Sequence, residues 1–240
     1  MKDVKLMKVV SVNVGKIQTQ PWRDGTLSAI HKSPVKGLCA VSNMGLLGDE
    51  QADTDNHGGE DKAVFVMPES NYAFFKIQQP FGFLGENLTL SGLDETEVCL
   101  GDRLQIGTVL LEVSQPRSPC WKLGQQASSE SDWSSVAFLK SYSESGRVGF
   151  YCRVLATGVL ESGQAVTWLT RDVGEDNRAK KLYKITIEKL FLAKQFHSTE
   201  GEWLALQSVV KHPALSTSWQ NSIERLLQNH AAQEGSAASE

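Results

Sequence analysis

A mainly β domain followed by a small group of three helices is the fold class that this 240-residue sequence predicts. Three observations carry that expectation. Up to about residue 170 the chain is written in short β-like runs punctuated by glycine. After residue 178 the apolar residues recur three and four apart, the period of a helix face. With 40% hydrophobic residues the chain can bury a sizeable core, and its length suits one or two domains. The expected division is residues 1–178 for the β domain, 179–232 for the helical one, and 233–240, "QEGSAASE", as a disordered tail too polar to pack.

In chain order, "VVSVNV", "AVFVM", "RLQIG", "VLLEVSQ" and "AVTWL" read as strands. In "DRLQIGTVLLEV" the pair Gly107-Thr108 separates two runs as a hairpin turn does, and "GLDETEVCLGD" and "GVLESGQAV" carry similar turn chemistry. Many short strands at such spacing imply a closed or sandwiched β domain. One helix is expected at "PESNYAFFKIQQ", opened by Pro68, with Tyr72, Phe75 and Ile77 toward the core. Another is expected at "SDWSSVAFLKSYS", capped by Ser131 or Asp132. The last three are "KITIEKLFLAKQF", "EGEWLALQSVVKH" and "STSWQNSIERLLQNH"; Ser198 or Thr199 caps the second, Ser216 or Thr217 the third, and Pro213 breaks the chain between them. Roughly fifty residues make a marginal core alone. The helices are therefore expected on the β domain or on another subunit, which admits a homodimer.

The formal charge of −4 offers no broad positive surface to nucleic acid or to an anionic membrane. "MKDVKLMKVVSVNVGK" lacks the continuous apolar region of a signal peptide, and no later run approaches spanning length, so the cytoplasm is the expected location. Cys39, Cys99, Cys120 and Cys152 are widely spaced with no CxxC pair, which argues for four reduced thiols. The five histidines have no HxxxH spacing, and no Walker, Rossmann or GxSxG motif is present.

"SQPRSPCWKL" stands out. Cys120 follows a strand run at the start of what reads as irregular chain, where Pro116 and Pro119 forbid regular ladder bonding. Arg117, with Lys122, favours a thiolate, which is both the stronger nucleophile and the form that ligates soft metals. The alternative is a buried structural cysteine, as Cys152, Trp22 and Trp168 are read. A second stretch, "GLLGDEQADTDNHGGEDKAVFVMP", packs Asp49, Glu50, Asp53, Asp55, His57, Glu60 and Asp61 around four glycines. A calcium loop is rejected, because His57 takes an oxygen ligand's place and Val64 stands where the closing glutamate belongs. His57 is then either a polar group on a tight loop against a ligand or a plain turn residue. Asn87, beside Glu86 in "GENLTLSGL", and Arg147 in "GRVGFYCRVL" are either ordinary loop groups or ligands to a phosphate or polar ring, and Lys32, Ser33 and Lys36 in "HKSPVKG" are either surface groups or anion ligands.

Taken in order, "GLLGDEQAD", "HGGEDKAVFVMP", "GENL", "SQPRSPCWKL" and "GRVGFY" resemble the MOSC domain, the C-terminal module of molybdenum cofactor sulfurases, in its stand-alone YiiM-like form. The resemblance spans roughly residues 25–170, and the three helices are similar to the 3-alpha domain that follows MOSC in that subfamily. It implies a barrel-like fold, with Cys120 as the protein's ligand to the molybdenum of a pterin-dithiolene cofactor (molybdopterin). It also implies two-electron reduction of N-hydroxylated compounds, namely 6-hydroxylaminopurine-type base analogues and amidoximes. On that reading Lys32, Ser33, Asn87, Arg117 and Arg147 hold the cofactor, and His57 with Asp53 or Asp55 delivers protons. The chain carries no flavin or iron–sulfur motif of its own, so a separate flavoprotein or ferredoxin-type donor is expected. Two other readings use the same thiol: a molybdenum cofactor or sulfur carrier, and a thiol hydrolase with Cys120 as nucleophile and His57 as base.

Overall fold

Side-chain alternation along "VLLEVSQP" organises the molecule, for which the computed structural model describes residues 6–23, 25–53, 58–169 and 184–237. In β10 (Val109–Pro116), Leu111 and Val113 are fully buried in one apolar cluster, while Glu112 and Ser114 take the opposite face. β9 (Arg103–Ile106) joins it through the two-residue turn Gly107-Thr108, with Val109 opposite Ile106 and Gly107 at φ +56°. On its other side β10 pairs antiparallel with β11 (Phe150–Ala156), and the register slips between Val113 and Gln115. That irregularity re-aims the strand just before the cysteine segment.

The remaining members of the sheet are β1 (Lys8–Val14), β4 (Ser33–Pro34), β7 (Val64–Pro68), β8 (Leu88–Ser91) and β13 (Val166–Leu169), in the order β13-β9-β10-β11-β7-β8-β1-β4. β7 and β8 run parallel, which requires a crossover, and α1 (Ser70–Phe74) lies in it. Pro68 therefore ends β7 instead of opening a helix, although Tyr72, Phe75 and Ile77 do face the core. A three-stranded sheet is built from β12 (Gly158–Leu160), β5 (Cys39–Ser42) and β6 (Gly45–Leu46), and a small hairpin from β2 (Gln18–Thr19) and β3 (Leu27–Ser28).

The described strands form a mixed sheet that does not close into a barrel, where the strand spacing implied a closed or sandwiched domain and the resemblance a barrel-like one. β13 and β4 are four and two residues long, too short to complete a ladder. The flank of β1 meets the segment leading into β13 through the single Lys8–Ala165 bridge and bonds such as Val9 N–H to the Gln164 carbonyl at 2.9 Å.

One face of the sheet gathers Val12, Val64, Val66, Leu104, Leu111, Phe150 and Cys152. From the other, Phe65 and Met67 join the helices. These are α2 (Trp121–Glu130), α3 (Ser135–Ser145), α4 (Ile187–Phe196), α5 (Glu200–Val209) and α6 (Thr217–Ala237). Phe75, Phe138 and Tyr142 share one cluster with Leu190, Leu206 and Ile223, so the last three helices pack into a common core with the rest of the chain. Each such fully buried side chain stabilises the fold by about 1.5–3 kcal/mol.

Helix ends depart from the sequence reading in three places. α3 is capped by Ser134, whose Oγ accepts from Ala137 N–H at 3.2 Å, and not by Ser131 or Asp132. α2 was expected as irregular chain; its weak apolar spacing, Leu123 and Ala127 among serines and glutamines, hides it. α6 continues to Ala237, past residue 232 where composition ends the helical part. Thr199 opens α5 in a full capping box with Glu202, and Ser216 Oγ accepts from Trp219 N–H at 3.2 Å to start α6. No described helix is long and apolar enough to cross a membrane.

Candidate functional site

Cys120 occupies the N-cap of α2, directly beyond the Pro116 end of β10. The helix places the sulfur at the positive end of its dipole. The side chain is partly exposed into a cleft of about 640 Å³, open to solvent, also lined by Lys32, Asp49, Asn87, Arg117 and Tyr151. The other cysteines differ: Cys39 and Cys152 are buried, and burial pushes the Cys99 thiol up to about 11.

One wall is rigidly cross-linked. Asn87 Oδ1 accepts from Phe65 N–H at 3.0 Å, and its Nδ2 donates to Asp49 Oδ2 at 2.8 Å. Asp49 Oδ1 also takes the Gly15 N–H at 2.7 Å and a short bond from the Lys32 ammonium. Burial pulls the Lys32 pKa below its ordinary value, and Asp49 opposes that shift. Beneath them Glu86 is buried and accepts from Tyr72 Oη at 2.7 Å, Gly82 N–H at 2.8 Å and Thr89 Oγ1 at 2.8 Å. Gly85, at φ +91°, brings the backbone to the cleft, and a Cβ there would stand 3.1 Å from Ile30.

The opposite wall centres on Arg117, which is 5% exposed. Its guanidinium donates to Tyr142 Oη at 3.4 Å and lies over the Phe65 ring at 5.2 Å. Burial works against its charge, but Tyr142, Cys120 and Tyr151 outweigh burial and hold its pKa above the ordinary value. Burial raises the Tyr151 phenol, with Arg117 opposing. No carboxylate among the described residues pairs with Arg117. A buried cation without a counter-charge is costly, and an anionic ligand in the cleft would supply one.

The cleft thus gathers Cys120, Lys32, Asn87, Arg117 and Asp53 from the residues singled out in the sequence. Ser33 lies outside it, exposed on β4 opposite Val14. Arg147 is also elsewhere: its Nη1 donates to Asn71 Oδ1 at 3.3 Å and it covers Phe74. His57 and Asp55 lie outside the described residues. Sequence reasoning passed over Lys62, Tyr151 and Phe65, and treated Asp49 as one acid among six. Lys122, half-buried at the cleft, donates to the Leu27 carbonyl at 3.1 Å and ties the β2–β3 hairpin to α2. In that hairpin's loop Trp22 meets Trp121 edge-on at 6.4 Å, instead of filling the strand core.

A thiol donor and a guanidinium that no carboxylate among the described residues pairs, in one cleft, fit a soft metal carried by an anionic organic cofactor. Residues 53–167 match the family model of the MOSC domain. "Uncharacterized protein YflK" of Bacillus subtilis is 33% identical over 89% of this chain and 91% of its own length. "Protein YiiM" of Escherichia coli is 37% identical over 68% of this chain and 72% of its own. The crystal structure of YiiM from Geobacillus stearothermophilus superposes with a TM-score of 0.70 at 33% identity, covering 92% of this chain and 99% of that one. A longer Gibberella moniliformis protein named "Reductase" is 34% identical, and this chain spans 29% of it.

Proposed function

This chain belongs to the MOSC-domain family in its YiiM-like form, and from that premise we propose that it is a molybdenum-cofactor-dependent reductase of N-hydroxylated compounds. The observation that carries the reading is the meeting, on one cleft, of the Cys120 sulfur with the buried Arg117, which no carboxylate among the described residues pairs. When bound, the cofactor supplies the two-electron chemistry that reduces an N–OH group to the amine with loss of water.

The protein's own part is to hold, orient and protonate. Cys120 is the soft ligand that anchors the metal. Arg117 balances the anionic cofactor with a charge whose desolvation is already part of the fold. Asn87 fixes Asp49, and Lys32, locked to the same Asp49, offers an ammonium on a wall that needs no rearrangement. Asp53 and Lys62 stand on the rim within electrostatic reach of each other, and burial lowers the Lys62 pKa, which eases proton donation from its ammonium to a departing oxygen. The name "Reductase" of the Gibberella relative supports the redox class. Electrons come from a separate flavoprotein or ferredoxin-type donor.

Molybdenum and pterin content of freshly purified protein, compared with Cys120→Ala, tests the reading. The wild type should carry both, and the variant should lose nearly all metal while keeping its melting temperature. The loaded wild type, given an artificial reductant, should reduce a 6-hydroxylaminopurine. Equal metal in the variant would remove Cys120 as ligand. Full occupancy without turnover would turn the assignment to a cofactor or sulfur carrier.

A further inference from the structure

Helix α6 starts against the turn that carries Lys62. That 3-10 turn, Glu60–Lys62, runs through Ala63 into β7, and Lys62 lines the Cys120 cleft beside Tyr151. Toward β7 the chain is fixed by sheet pairing, with Val64 opposite Cys152 on β11. On the other side of Lys62 the anchor is Asp61.

Asp61 is tied to three elements. Its carbonyl accepts from Ser114 Oγ on β10 at 2.5 Å. Its Oδ1 accepts from Arg153 on β11, Nε at 3.1 Å and Nη2 at 2.5 Å. Its Oδ2 accepts at 3.1 Å from the N–H of Thr217, the first residue of α6 and 156 positions further along the chain. The helix start is held to β10 as well, by Ser216, whose N–H donates to the Ser114 carbonyl at 3.1 Å. A carboxylate is favoured at the N-terminus of a helix, where the first N–H groups have no partner within it and the dipole is positive. Here that carboxylate belongs to the residue before Lys62, so the contact that completes α6 also fixes the turn. Asp61 and Asp53 moreover oppose the burial that lowers the Lys62 pKa, which favours the charged ammonium.

We propose that Asp61 is a positioning residue: through it the start of α6 fixes where the Lys62 ammonium stands in the Cys120 cleft. The C-terminal helices are then part of the support of the site. The proposal rests on the reductase reading for what Lys62 does, which is to give a proton to the departing oxygen; the coupling of α6 to the turn stands apart from it.

Two substitutions in the full chain test this from opposite ends. Thr217 is exposed, and proline suits the first position of a helix, so Thr217→Pro deletes the N–H that Asp61 accepts and leaves the Ser216 cap to Trp219 in place. Asp61→Asn removes the charge at nearly constant size. Melting temperatures report folding, and either folded variant suffices. Hydrogen exchange read by mass spectrometry should be about threefold to tenfold faster at the Lys62 and Ala63 amides, the equivalent of one lost hydrogen bond, while the amides of β7 beyond Val64 keep their protection. In loaded protein given an artificial reductant, Asp61→Asn should lower kcat for a 6-hydroxylaminopurine by about tenfold, and Thr217→Pro by less, with KM and molybdenum content unchanged. Neither should lower kcat further in a Lys62→Gln background, because Asp61 acts through that ammonium. Unchanged exchange in the folded variants would overturn the coupling. Equal losses of kcat with and without Lys62 would overturn the positioning role and leave the reductase reading. Faster exchange with no turnover in any form, wild type included, would sink the reductase reading and leave the coupling between α6 and the turn.

Discussion

Two arginines beside the β10–β11 pair have opposite surroundings. Arg153, on β11 opposite Glu112, bonds both Glu112 Oε2 at 3.2 Å and Asp61 Oδ1 at 2.5 Å, and Arg103 reaches the same Glu112 at 3.2 Å. Arg117, just past the end of β10, is more deeply buried and has two phenols, an aromatic face and a thiol instead of a carboxylate. Tyr151 and Arg153 are two residues apart on one strand and so share a face. A few ångströms of strand separate a network neutralised by carboxylates from a charge that no carboxylate among the described residues pairs. Local charge content does not reveal a site; the sign left over after internal pairing does.

The sharpest way to break this comparison is Arg117→Met, which keeps the volume and removes the charge. The purified variant should carry at least about tenfold less molybdenum and pterin than wild type. Its cofactor-free form should be as stable as wild type or slightly more so, because a desolvated, uncompensated cation is gone. Retained cofactor, or a clear loss of urea stability in the cofactor-free protein, would make Arg117 an ordinary structural residue.

Arg153→Met should act in the other direction. Removing Arg153 leaves Glu112, whose side chain is only 8% exposed, with Arg103 alone, and takes the guanidinium from Asp61. The expected loss is about 2–3 kcal/mol in urea unfolding, with metal content per folded molecule unchanged. If the two substitutions gave the same profile, the distinction between an internal network and an external site would fail.

How much of this contrast the sequence discloses depends on distance along the chain. The Gly107-Thr108 hairpin and the capping box at Thr199 are local, so residue types alone locate them. Arg117 and Cys120 could be singled out because they sit among prolines at a strand end. Tyr151 enters the cleft because β11 pairs Tyr151 with Gln115, and Lys62 because a short 3-10 turn packs against that pair; neither contact has a local signature. Ser33 and Arg147 illustrate the opposite limit. Ser33 follows the buried Lys32 directly, yet chain alternation sends it to solvent, while Arg147 precedes β11 and turns to Asn71. Neighbourhood in sequence identifies a loop, but facing requires the tertiary register. The α2 helix was illegible for a further reason: its packing comes from Gly124 lying against Ser135 and Leu139, a contact that no amphipathic pattern announces.

The smallest expected effect concerns a third charged group, the one holding Arg147 away from the cleft. Glu95 is 1% exposed; its Oε1 accepts from Asn71 Nδ2 at 2.7 Å and from Gly149 N–H at 2.8 Å, while Oε2 has no hydrogen-bond partner. Burial raises its pKa above 4.5 despite those bonds and the nearby Arg147. A carboxyl raised in the fold keeps a proton that the unfolded chain gives up, so its contribution to stability is complete below 4.5 and declines as pH climbs toward the folded-state value. Glu86, raised by the same desolvation, adds a decline of the same sign. Glu95→Gln preserves the acceptor and removes the titration. The variant should match wild type in acid and lose less stability as pH rises to about 7, leaving a residual slope from Glu86. Melting temperatures across that range check it, and parallel curves for the two proteins would mean that Glu95 is ionised in the fold, making Arg147 a paired cation like Arg153.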